Sequence, residues 1–176
     1  MRAVPSILVA ALLSTAGLSM AGAASAAVPL EARVAAVEDR QAIEQLVAGD
    51  YVRALDSHQW TDYAATFTED GELSVFGQTM KSRAAILKFF TTPRPTLGPG
   101  TKISHIISNL SYRIAGGKAS GGAYWQDIGI APNGLPGVLS AGHYDDALRK
   151  VGGHWKFAKR TIVTDFAAPA ETPPAK

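Results

Sequence analysis

The chain has no cysteine among its 176 residues. That absence excludes disulfides, thiolate catalysis and cysteine-ligated zinc together. Basic clusters are also missing. The formal net charge is +2, from 17 Lys and Arg against 15 Asp and Glu, so there is no electrostatic footprint for a nucleic acid. The four histidines show neither His-x-His nor His-x-x-x-His spacing, and no metal or other cofactor is expected. Past the first 26 residues no apolar run approaches the ~20 residues that cross a bilayer. No internal repeat is visible.

What is present begins with a leader. Arg2 supplies a positive start, residues 7–13 an apolar run, and Ala24-Ser25-Ala26 a small-residue cleavage site. The pattern is that of a secretory signal peptide over residues 1–26. The alternative, an uncleaved anchor, is disfavoured because the run is short and breaks into Ser, Thr and Gly. The expectation is an exported protein, periplasmic or secreted, without membrane attachment after cleavage. One domain would occupy residues 27–166, followed by a disordered Ala/Pro-rich tail at 167–176.

Within the domain the hydrophobic period changes once. Ile43, Leu46, Val47, Tyr51, Ala54 and Leu55 follow the three-and-four spacing of a helix over residues 30–55, with Asp39 as a cap of a restart inside it. Short helices are expected at 61–67 and, capped by Ser82, at 83–90. Glu69-Asp70-Gly71 reads as a turn, and Leu73, Val75 and Phe76 as a short strand. Residues 92–100 hold three prolines and two glycines and read as a loop. From residue 102 the period is two. Strands are expected at 102–114, 119–130, 138–151 and 154–165, joined by turns at 115–118, 131–137 and Gly152-Gly153. Helices first and an antiparallel meander after them give an α+β fold with the helices on one side of the sheet.

A sheet incompletely covered by short helices leaves a hollow, the usual place for a small molecule. Two polar residues draw attention to it. Asp56 ends an apolar helix, where the dipole disfavours a carboxylate, so it needs a partner. His105 shares a strand face with Ile103, Ile107 and Asn109, and a buried imidazole also needs a partner. If they meet, the carboxylate fixes the tautomer and leaves the other ring nitrogen for a substrate, a common acid/base device. A structural role for each residue, cap or satisfied core histidine, stands beside this reading. His58 and His154 are expected in solvent, and His143 opposite to Tyr144. Trp60 and Trp155 are expected as core anchors. Arg149, Lys150, Lys156, Lys159 and Arg160 read as a solvated basic end of the last hairpin, and Ile106, Leu110 and Tyr112 as an exposed apolar face suited to a homodimer.

Three strings carry a resemblance. They are Tyr51-x-x-Ala54-Leu55-Asp56-x-x-x-Trp60 followed by Phe67-Thr68-Glu69-Asp70-Gly71; His105-x-x-x-Asn109; and Gly142-x-Tyr144-x-Asp146 followed by Gly152-Gly153-His154-Trp155-Lys156-Phe157. In this order they resemble the SnoaL-like and scytalone dehydratase-like branch of the nuclear transport factor 2 superfamily. The resemblance implies a cone-shaped, curved antiparallel sheet packed on the N-terminal helices, around a pocket (a cystatin-like roll). It also implies that Asp56 and His105 are an acid/base pair, with Asn109 and Tyr144 hydrogen-bonding a substrate and Tyr51 and Phe76 as wall. Dehydratases of that branch add tyrosines and a second histidine. Here Leu55, Val75 and Phe76 stand at the tyrosine positions, so scytalone itself is not the expected substrate. The expected ligand is a small, apolar, carbonyl-bearing molecule. Two functions stay open: a cofactor-independent lyase or isomerase, and a protein that binds without turnover. A structural dimer with a vestigial pocket is a third.

Overall fold

The computed structural model describes residues 28–93, 103–131 and 134–167. The leader, most of the proline-rich loop, part of the 131–137 turn and the tail lie outside these residues. Helix α1, Leu30–Glu44, continues through a π-helical turn, Gln45–Asp50, into α2, Tyr51–Asp56. Helix α3 is Trp60–Ala65 and α4 is Arg83–Thr91. Ser82 caps α4 as expected, accepting from the Ala85 amide at 3.2 Å. Asp39 is not a cap. It lies mid-helix and ties α1 to the sheet, accepting from Lys150 Nζ at 2.7 Å and Trp155 Nε1 at 2.9 Å. None of the described helices is long and apolar enough to span a membrane.

The strands are β1 Phe67–Val75, β2 Gln78–Lys81, β3 Ile103–Ala115, β4 Lys118–Ile130, β5 Pro136–Val151 and β6 His154–Ala167. Their order is β2-β1-β6-β5-β4-β3. The class is α+β, and the meander stands close to where alternation places it. The expected cone-shaped, all-antiparallel sheet does not form. The sheet is open, with β2 and β3 as edges that do not pair with each other. Its β1–β6 pair is parallel.

Strand β1 absorbs what reads locally as a turn. Between Phe67 and Glu72 it advances five residues while β6 advances two, from Phe157 to Lys159. Glu69-Asp70-Gly71 is therefore a bulge within a strand. Gly71 sits where a Cβ would come within 3.0 Å of the Phe157 carbonyl oxygen and Phe67 Cβ, so the bulge needs a residue without a side chain.

Helix and sheet meet over Tyr51, Tyr63, Phe67, Ile86, Leu73 and Phe157, all with no exposed surface. Among them lies Arg160, also fully buried. This overturns its assignment to a solvated basic end. Its Nε and Nη2 donate to Asp146 at 2.8 and 2.7 Å, and Tyr112 Oη donates to Asp146 Oδ2 at 2.6 Å. The guanidinium carbon is 4.2, 3.8 and 3.9 Å from the ring centres of Tyr51, Tyr144 and Phe157. Burial works against the Arg160 charge, but the Asp146 carboxylate outweighs it, and the group stays firmly protonated. Burial, then the Asp146 charge, push the Tyr112 hydroxyl pKa up, so it remains a donor.

Candidate functional site

Asp56 is the last residue of α2, and the chain turns away through His58 at a left-handed φ of 53°. Strand β3 is an edge, so alternate amides along its outer side lack a strand partner. Asp56 meets one of them. The His105 amide lies 3.3 Å from both carboxylate oxygens, and His105 Nδ1 is 2.6 Å from Asp56 Oδ1. A carboxylate only accepts, so Nδ1 carries the hydrogen. The two donors compensate the unfavourable helix end. Both side chains retain some exposure, 18% for His105 and 29% for Asp56.

The other ring nitrogen is not simply open. Nε2 is 3.1 Å from Asp127 Oδ1, but out of line, so this buried oxygen has no hydrogen bond. Asp127 Oδ2 accepts from Ser140 Oγ at 2.7 Å. Sequence reasoning missed Asp127 because its position depends on a bulge. Ser111 pairs with Gly122, but Ser108 pairs with Tyr124, so β3 carries one extra residue. Asn109, at φ 52°, occupies the left-handed region that Asn tolerates better than most residues. Beyond the bulge His105 pairs with Asp127, whereas the uninterrupted register from the hairpin turn would pair it with Ile128. A one-residue slip exchanges the faces. The only local signal is Asn109 itself.

The bulge also moves other expected residues. Leu110 and Tyr112 pack against the core instead of lying on the exposed face. Asn109 is exposed and lines a shallow depression on the far face with Tyr124, His143 and Asp145. There His143 Nδ1 is 3.1 Å from Asp165, with Tyr144 on the opposite, buried side as the alternation predicts.

Asp56, His105, Asp127 and Ser140 border a hollow of about 580 Å³. Leu55, Ile103 and Leu139 supply apolar surface, and Phe76, 74% exposed, stands at its rim. One wall is aromatic. Trp60, which lines the hollow, stacks on Phe90 at 5.0 Å and on His58 at 5.2 Å. His58 is exposed, as expected, yet lines the same hollow. Tyr51 and Tyr144 do not border it. They are buried around Arg160, Tyr51 Oη bonded to Tyr63 Oη at 2.9 Å. A second hollow of about 460 Å³ runs beside the π-helical turn and holds none of the His105 group. Among the described residues no cluster of three or more His, Asp or Glu is arranged to hold a metal.

No curated protein matches the chain. Solved structures do. A nuclear transport factor 2-like protein with a cystatin-like fold from Novosphingobium aromaticivorans is 26% identical, with a TM-score of 0.68, over 80% of this chain and 92% of that one. A protein from the same organism, provisionally named a scytalone dehydratase, is 26% identical, with a TM-score of 0.63, over 82% of this chain and 98% of that one. A Mycobacterium tuberculosis protein of unknown function is 24% identical, with a TM-score of 0.64, over 73% and 77%. The SnoaL-like domain profile matches residues 35–161. With its helices, its open sheet and a His–Asp group beside a hollow, this chain belongs to the SnoaL-like domain family of the nuclear transport factor 2-like, cystatin-like superfamily.

Proposed function

We propose that the hollow takes a small, apolar, carbonyl-bearing molecule and that His105 moves a proton on it, giving a cofactor-independent lyase or isomerase. The observation that carries this reading is the 2.6 Å contact between Asp56 and His105 Nδ1 at the edge of the hollow. Asp56 fixes the ring and its tautomer, so proton traffic falls to Nε2. The aromatic wall of Trp60 and Phe90 and the rim residue Phe76 suit a flat ligand. Tyr63, rather than Tyr51 or Tyr144, backs this wall, with its ring 6.1 Å from Trp60 and 4.7 Å from Phe90. The provisional dehydratase name of one similar structure agrees with this class of chemistry.

The test is deuterium incorporation from D2O next to the carbonyl of 2-tetralone, followed by proton NMR. The expected result is saturable exchange above buffer, reduced by about 10²-fold in Asp56→Asn with little change in thermal stability. An unchanged rate in that variant would falsify the pair as an acid/base unit. Saturable binding without exchange would leave the hollow as a binding site only.

We further propose that the leader directs export, tested by N-terminal sequencing of protein from the periplasm or medium. Two copies would pair through the outer sheet face, where Ile106, Tyr124 and Val138 are exposed. Sedimentation of wild type against Tyr124→Lys tests this.

A further inference from the structure

The Asn109 bulge sets a carboxylate against the nitrogen that is meant to do the chemistry. Asp127 Oδ2 is anchored by Ser140, while Oδ1 is buried, 3.1 Å from Nε2 and without a hydrogen bond. An unsatisfied buried acceptor costs free energy. With the hydrogen on Nδ1, Nε2 has only a lone pair, directed out of line from that acceptor, and cannot satisfy it. A proton arriving on Nε2 can, after a small tilt of the ring. The resting site therefore lacks one bond that the proton-loaded site makes.

We infer that Asp127 is a positioning residue that acts through His105, by stabilising the imidazolium formed when Nε2 takes a proton from the substrate. The inference rests on the acid/base reading above. Nε2 removes the hydrogen from the carbon beside the carbonyl. The C–H electron pair becomes the carbon–carbon double bond of an enolate, and the negative charge moves to the carbonyl oxygen. The imidazolium then lies between two carboxylates, Asp56 at Nδ1 and Asp127 at Nε2. Return of the proton to carbon completes exchange, and its return at another position completes isomerisation. No further reactant is needed. Interactions made only on the way to the transition state raise kcat and leave KM unaltered.

The exchange of 2-tetralone in D2O again provides the readout, now as a kcat–KM split. Asp127→Asn keeps the shape and the Ser140 contact but removes the charge. Its kcat should fall roughly ten- to a hundredfold, with KM within about twofold. Residues acting as a unit are not additive, so adding Asp127→Asn to His105→Gln should slow the enzyme less than about twofold further. A kcat unchanged in Asp127→Asn, a rise in KM alone, or multiplying effects of the two variants would each overturn the inference. If Asp127→Asn does not fold, Ser140→Ala decides, because it frees Oδ2 and keeps the carboxylate. A loss of about three- to tenfold in kcat is expected on the same argument, and no loss overturns it. The two readings fail differently. Wild type without exchange, or a silent His105→Gln, removes both, whereas an active wild type, a crippled His105→Gln and a silent Asp127→Asn remove only the role of Asp127.

Discussion

Replacing Asp146 by Asn should be among the most damaging single changes in the interior. The carboxylate holds two guanidinium hydrogen bonds and one from Tyr112, and Arg160 has no exposed surface. Without that charge the arginine stays buried among Tyr51, Tyr144 and Phe157, with one of its terminal nitrogens already unbonded. Breaking one half of a buried pair costs about 3–5 kcal/mol, a large part of the roughly 5–15 kcal/mol that holds a domain folded. At about 2–4 °C per kcal/mol for a chain of this size, the midpoint should fall by roughly 10 °C. Arg160→Met should cost a similar amount, because it strands the carboxylate. The double variant removes both charges and should cost less than the sum by about 2 kcal/mol or more. Urea denaturation followed by the fluorescence of Trp125 and Trp155, both buried, measures all four corners of the cycle. Single costs below about 1 kcal/mol, or strictly additive ones, would refute the argument that the charges sustain each other.

Two further outcomes are expected. Asn109→Ala puts an ordinary side chain at a left-handed φ and should destabilise by about 1–2 kcal/mol, while Asn109→Gly should be nearly neutral; denaturation midpoints check both. The hydrogen bond from Lys150, then that from Trp155, holds the Asp39 carboxyl below its usual range. A group depressed on folding lends stability above its unfolded pKa, about 3.9, and loses it as pH falls through the lower folded value. Asp39→Asn should therefore be less stable than wild type at pH 6, and the gap should close below pH 4. A gap that persists in acid would show that the side chain matters by shape alone.

Local pattern carried much of this architecture. Period-two alternation located β3 to β6 within one or two residues at most ends, and three-and-four spacing located the first helices. Pairings set by distant residues were not legible. The parallel contact of β1 with β6 leaves no mark in either segment. The Glu69-Asp70-Gly71 bulge has the composition of a turn. The Asn109 bulge reversed the faces assigned to Leu110, Tyr112 and Asn109, and it hid Asp127. A second slip, between the Ala147–Lys159 and Leu148–Phe157 pairs, brings Phe157 and Arg160 to one side. That is why Arg160, next to Lys159 in the sequence, ends in the core. Asp56 and His105 were found because each had an electrostatic need that its own element could not meet.

The position of β6 has a consequence for how the chain acquires its structure. It is the last strand made, yet it lies between β1 and β5. Until it leaves the ribosome, the β1–β2 hairpin has nothing to join, and the helical segment bearing Asp56 can dock on only part of the sheet. Such non-local closure slows folding. A protein shortened before residue 154 should be a substrate for proteases and chaperones, not a smaller working copy.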